Sequence, residues 1–247
     1  MSANRVFKWG GIASAAVLIA FGIAAIVLGM NGGSTVSSNL KQEYIFGSPD
    51  MTPTAIQPEV KAIQVEQQKT SAAQIKAKVP EAQRFTFTTV EAPSCSVAGD
   101  QVTDGTTARC FAQYMRIHAL GASSGLTYAQ MGRYMAKPGT PIQFTDFHGA
   151  TNVDKYAVGY SSDPATSRPV ANGARDTWVT ETALTSALNL AYTASQISLF
   201  GIVVGVALLL SGIGFAVLAL GGALREFRFP KVQRTHETTP VAGGPAA

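Results

Sequence analysis

The sequence predicts a membrane protein: two transmembrane α-helices flanking a mixed, mainly α extracytoplasmic domain with a small β component. Three observations carry that expectation. Residues 9–30 and 198–222 are long apolar runs without a single Asp, Glu, Lys or Arg. The surplus of basic residues gathers beside these runs, at the two ends of the chain. The stretch between them holds the only cysteines, Cys95 and Cys110.

The first run (GGIASAAVLIAFGIAAIVLGM) and the second (SLFGIVVGVALLLSGIGFAVLALGG) account for a composition of 46% hydrophobic against 14% charged residues. At about 1.5 Å per residue, some 20 residues cross the roughly 30 Å hydrocarbon layer, so each run is long enough to span. A soluble core helix does not stay apolar around its whole circumference for six turns. Arg5 and Lys8 before an apolar run also fit a secretory signal, but the run exceeds the ~7 to 15 residues of such a segment and no small-x-small cleavage site follows it. A retained first span is therefore expected.

Lys and Arg are retained on the cytoplasmic side. Arg5 and Lys8 precede the first span, and Arg225, Arg228, Lys231 and Arg234 follow the second. The expectation is a plasma-membrane protein with tails 1–8 and 223–247 in the cytoplasm and residues 31–197 outside. That external region carries 13 basic and 13 acidic residues, so the formal charge of +4 belongs to the tails. Nucleic acid is excluded on this count, because its binding needs many cations on one face, whereas here the surplus sits where anionic lipid head groups attract it. The partners implied are the lipid bilayer and other membrane or envelope proteins, or further copies of the chain.

The external region is long enough for one domain with its own core. NGGSTVSSN after the first span reads as a flexible exit, and Lys41 to Phe46, with Tyr44, as the first place where packing begins. Asp50 and Thr52 are candidate N-caps and Pro53 suits a first helical turn. Pro58 interrupts or restarts that helix, and PEVKAIQVEQQKTSAAQIKAKV, with apolar positions at Val60, Ile63, Ile75 and Val79, reads as a surface helix. Residues 84–90 (RFTFTTV) alternate apolar and hydroxyl side chains, the period-two pattern of a half-buried strand. Residues 106–120 read as a helix stopped by Gly121, and Thr127 as the cap of a short one through Tyr128, Met131 and Tyr134. Residues 137–175 are loop-like, with weakly signalled strands at 142–147 and 155–160. Beyond Gly173 no Pro or Gly occurs until Gly201, while Trp178, Glu181, Leu184, Leu188, Ala191 and Tyr192 recur at spacings of three and four. One helix is expected to run unbroken into the second span.

Reactive side chains are few. An oxidising compartment favours a bridge between Cys95 and Cys110 over metal ligation or free thiols, and no C-x-x-C or H-x-E companion supports zinc or redox chemistry. His118 falls one turn after Tyr114, itself one turn after Cys110, so the three share a face of a helix. His118 reads first as a hydrogen-bonded boundary histidine. An iron oxygenase would need two histidines and a carboxylate on one face of the metal; the only histidines outside the membrane are His118 and His148, with Asp146 two residues before the latter, since His236 lies on the cytoplasmic tail. No G-x-S-x-G and no phosphate-binding glycine loop occurs, so no cofactor is called for. Within the spans Ala16, Ala20 and Ala24, and the pair Gly201 and Gly205, form small-residue faces suited to helix packing. Neither span holds an ionisable residue, which argues against an ion pathway.

The segments 46–53 (FGSPDMTP), 95–98 (CSVA), 108–120 (ARCFAQYMRIHAL), 128–131 (YAQM) and 178–184 (WVTETAL) carry a patchy but nearly end-to-end resemblance. On them the chain resembles a family of actinobacterial two-pass membrane proteins. Related chains bear the label aromatic ring-opening dioxygenase, an activity for which the ligand inventory above is too small, so the resemblance implies the topology and not an activity. The function expected is a disulfide-bridged external domain that binds a partner, as an accessory or assembly subunit of an envelope complex. The alternatives are an external metal-dependent enzyme using His118, His148 and Asp146, and a sensing module acting through the last helix.

Overall fold

The computed structural model describes residues 3–221, with side chains from Lys8 onward. Arg5 as a charged flank, Gly222, the basic tail at Arg225, Arg228, Lys231 and Arg234, and His236 lie outside the described residues. The fold is mainly helical: α1 (Ala3–Gln42), α2 (Gln57–Lys76), α3 (Gly105–Ala122) and α4 (Gly173–Leu220). Two short strands, β1 (Tyr134–Met135) and β2 (Ala150–Thr151), pair antiparallel. Both Lys8–Gln42 and Gly173–Leu220 are long and apolar enough to cross a membrane. The chain divides into two compact units, Met1–Ile26 with Val203–Ala247, and Val27–Ile202.

In the first unit α1 and α4 meet through small residues. A Cβ on Gly22 would lie 2.8 Å from the Gly205 carbonyl oxygen, and one on Gly212 would lie 3.0 Å from that of Ala15. Along α4 the buried positions Gly205, Gly212 and Ala219 are seven apart, as are Ala15 and Gly22 on α1. A seven-residue repeat keeps a seam facing its partner with little drift, whereas positions four apart turn away from it. This seam is distinct from the small-residue faces nominated in sequence for packing within the chain or across a dimer. Ala16, Ala20 and Ala24 are exposed, off the seam, and of the pair Gly201 and Gly205 only Gly205 is buried.

In the second unit α1 continues through the run that reads as a flexible exit. Low helix propensity there is overridden by contacts: Ser198 Oγ donates to the Gly29 carbonyl, Ser37 Oγ donates to the Thr103 carbonyl at 2.8 Å, and Leu40 joins the core. Packing resumes at Ile45 rather than Tyr44, which is exposed at a φ of 51°. Pro58 occupies the first turn of α2 and so starts the helix instead of interrupting it. Thr52 Oγ1 accepts from the Ala55 N–H at 3.1 Å in the turn before it.

The buried stripe of α2 is Val60, Ile63, Gln67, Thr70 and Gln74, a helical spacing whose lower half is polar. That composition hides it from an apolar-periodicity reading, which places Ile75 inside although it is exposed. The segment 84–90 forms no regular structure and pairs with no strand, and the turn after Thr127 does not grow into a helix. In place of strands at 142–147 and 155–160 there are single 3₁₀ turns at Ile142–Phe144 and Asp154–Tyr156.

Helix α3 starts at a capping box, with Asp104 accepting from the Thr106 and Thr107 N–H groups and Thr107 Oγ1 accepting from the Asp104 N–H. It runs antiparallel to the first turns of α4. Gly105 abuts Tyr192 and Ser195, Arg109 stacks over Tyr192 at 4.7 Å, and Arg116 lies over Trp178 at 5.7 Å. Trp178 and Leu188 are buried, as their spacing predicts.

Candidate functional site

The inward face of α3 organises the site. Cys110 is bonded to Cys95, closing a loop across a sequence separation of 15. One turn on, the fully buried Tyr114 donates its hydroxyl to the Cys95 carbonyl at 2.6 Å. Burial pushes the Tyr114 phenol pKa up, which keeps the proton this bond needs.

The pinned segment holds a second one. Val97 N–H donates to the Met51 carbonyl at 3.2 Å, Gly99 N–H to that of Gly47 at 2.9 Å, and Gly47 N–H to that of Asp100 at 3.0 Å. A Cβ on Gly47 would stand 1.8 Å from the Val97 oxygen, so only glycine admits this approach. The result places the 47–51 turn, and with it Asp50, against α3.

A third turn along that face, His118 meets two carboxylates. Its Nδ1 lies 3.0 Å from Glu59 Oε2, and its Nε2 lies 3.4 Å from Asp50 Oδ2. Ser48 Oγ donates to the other oxygen of Asp50. Glu59 rests on Gly121, where a Cβ would come within 2.3 Å of Oε1. Glu181 adds a third carboxyl from α4. Its Oε2 is shielded from solvent with no hydrogen-bond partner among the described residues. Burial pushes its pKa up, the Glu59 charge adds to that rise, and His118 opposes it. Side-chain exposures of 23% for His118, 31% for Glu59 and 43% for Asp50 leave the cluster open to water. Among the described residues these three form the single group of three or more His, Cys, Asp or Glu close enough to share a metal ion.

The residues nominated from sequence separate into two places. Cys110, Tyr114 and His118 share one face of α3, and Cys95 is bonded to it from the preceding loop. His148 and Asp146 lie elsewhere: His148 Nε2 is 2.7 Å from Thr70 Oγ1. The buried carboxylate of Asp146 accepts from the N–H groups of His148 at 3.0 Å, Ala150 at 2.9 Å and Gly132 at 2.9 Å. Asp146 is thus spent on folding its own loop, and the triad of His118, His148 and Asp146 is not assembled. Asp50 and Glu59, read as a helix cap and a helix surface residue, are the ones that meet His118. Nothing local in sequence links them, since Glu59 and His118 are 59 positions apart.

Beside α3 lies a cleft of about 720 Å³, walled by residues 86–94, with Ile117 and Leu120 on its apolar side and Arg116 and Gln130 among its polar groups. Glutamine side chains serve the wall where a neighbouring strand would. The Phe85 N–H donates to Gln74 Oε1 at 2.7 Å, while Gln130 Nε2 donates to the Thr86 carbonyl at 3.1 Å and Gln64 Nε2 to that of Val90 at 2.8 Å. The N–H groups of Phe87, Thr88 and Thr89 have no partner among the described residues.

Compared with protein-family models, with curated proteins and with solved structures, the chain matches none. The reading of its function therefore stands on the geometry alone.

Proposed function

We propose that this is a two-pass plasma-membrane protein with both termini in the cytoplasm, whose external residues 31–197 bind an extended polypeptide segment of an envelope partner. It would act as an accessory or assembly subunit rather than as an enzyme. The two apolar helices, the basic residues flanking them in sequence and the Cys95–Cys110 bridge support the placement. One observation carries the binding mode: an unpaired main chain at 86–90 bordering a cleft. Main-chain donors without a partner in the protein are open to an added strand, whose alternate side chains enter the neighbouring groove.

A photo-crosslinking residue at Thr89 in intact cells tests this. The expected result is an adduct to one segment of an envelope protein, lost when Thr88→Pro removes a main-chain donor. Adducts to lipid alone, or adducts indifferent to Thr88→Pro, would overturn it.

A further inference from the structure

We propose that Asp50, Glu59 and His118 form a site for a divalent first-row metal ion, with Asp50 and His118 as direct ligands and Glu59 as the carboxylate that orients the ring. The inference stands apart from the partner-binding reading above.

The argument starts from the imidazole. A neutral ring has one N–H, and Nδ1 directs it to Glu59 Oε2 at 3.0 Å. That leaves the Nε2 lone pair facing the Asp50 carboxylate at 3.4 Å, an arrangement that repels unless a cation stands between them. A proton is a poor fit, because N⁺–H···O⁻ bonds close to about 2.7–2.9 Å. A zinc-class ion fits, since bonds of about 2.0–2.2 Å at the tetrahedral angle set two ligand atoms roughly 3.3–3.5 Å apart.

Three further observations agree. Asp50 and His118 each have an outer partner, Ser48 and Glu59, the support that metal ligands need to hold their orientation. Asp50, Glu59 and Glu181 have no Lys or Arg partner among the described residues, so positive charge at the cluster comes from His118 or from a bound cation. The shielded oxygen of Glu181 is the kind of orphan that a nearby cation relieves. Imidazole with carboxylates suits zinc, manganese or iron(II), rather than calcium or magnesium with their all-oxygen shells. Exposure to water leaves the remaining coordination positions open for solvent or an incoming ligand.

The test uses the full chain, purified in mild detergent and stripped with chelator, titrated with ZnCl₂ and MnCl₂ and read by calorimetry and by the metal-dependent rise in Tm. One equivalent is expected per chain. His118→Ala and Asp50→Asn are expected to abolish saturable binding, and Glu59→Gln to weaken it about 10–100-fold, the usual effect of losing an outer partner. Gly121→Ala keeps every ligand but displaces the Glu59 carboxylate. It is expected to weaken binding while leaving the metal-free Tm unchanged or higher, because a helical position gains from alanine. His148→Ala is expected to bind as the wild type does. Absence of saturable binding at millimolar ion, or binding that survives both His118→Ala and Asp50→Asn, would overturn the proposal.

Discussion

Tyr114 does two things with one ring: it fills the core and its hydroxyl holds the Cys95 carbonyl. Tyr114→Phe keeps the first and loses the second, leaving that carbonyl without its partner. A loss of about 1 kcal/mol in urea unfolding is expected, with the disulfide intact. Glu181 works in the opposite sense. Its folded pKa is raised by burial, so the folded state binds its proton more tightly than the unfolded chain, where a glutamate titrates near about 4.3. Stability from this group is present below that value and is lost as pH rises through the folded pKa. In metal-free protein, Glu181→Gln should therefore raise the urea midpoint at neutral pH, with the advantage fading toward pH 4. Of these residues, the cysteines were legible in sequence because they are the only two and lie between the apolar runs. The Asp50, Glu59 and His118 cluster was not, because one partner comes from a turn that reads as a helix cap and another from a helix face that reads as solvated.

Elements are held here by side chains reaching main chain as much as by apolar contact. The 95–110 loop fixes residues 97–100, and these hold the 47–51 turn beside α3. Replacing both cysteines by serine should cost about 3 kcal/mol, the chain-entropy value for a loop of roughly 15 residues, measured by denaturant unfolding. Metal affinity should fall with it, because Asp50 sits on the turn so held. Gly47→Ala should destabilise by about 1–3 kcal/mol, since the atom it strikes is main chain and cannot swing aside. At this scale the alternation of residues 84–90 correctly told inside from outside: Phe85 and Phe87 are half-buried, Thr86 and Thr88 exposed. It could not tell pairing, which depends on what lies alongside, and what lies alongside is a set of glutamines. In α2 the same limitation took another form, because a buried stripe ending in Gln67, Thr70 and Gln74 has no apolar period to detect.

For the whole molecule, the two apolar helices were legible by length alone, and the unbroken course of α4 by the absence of Pro and Gly between Gly173 and Gly201. The seam between α1 and α4 was not, because four-residue and seven-residue spacings of small residues coexist and only packing chooses. Its register can be checked in detergent by thermal unfolding. Gly205→Leu drives a side chain into the main chain of Gly22 and should lower the midpoint markedly, while Gly214→Leu, with nothing nearby, and Ala20→Leu, facing outward, should leave it close to wild type.

Under the external placement and the metal site proposed above, the sulfur bridge also sets an order of maturation. A nascent chain whose thiols are still apart has no stable turn on which to present Asp50 to the imidazole, so it would traverse the zinc-buffered cytosol without capturing an ion. Loading would wait until translocation and oxidation were complete, and the ion acquired would then be set by metal supply outside the cell.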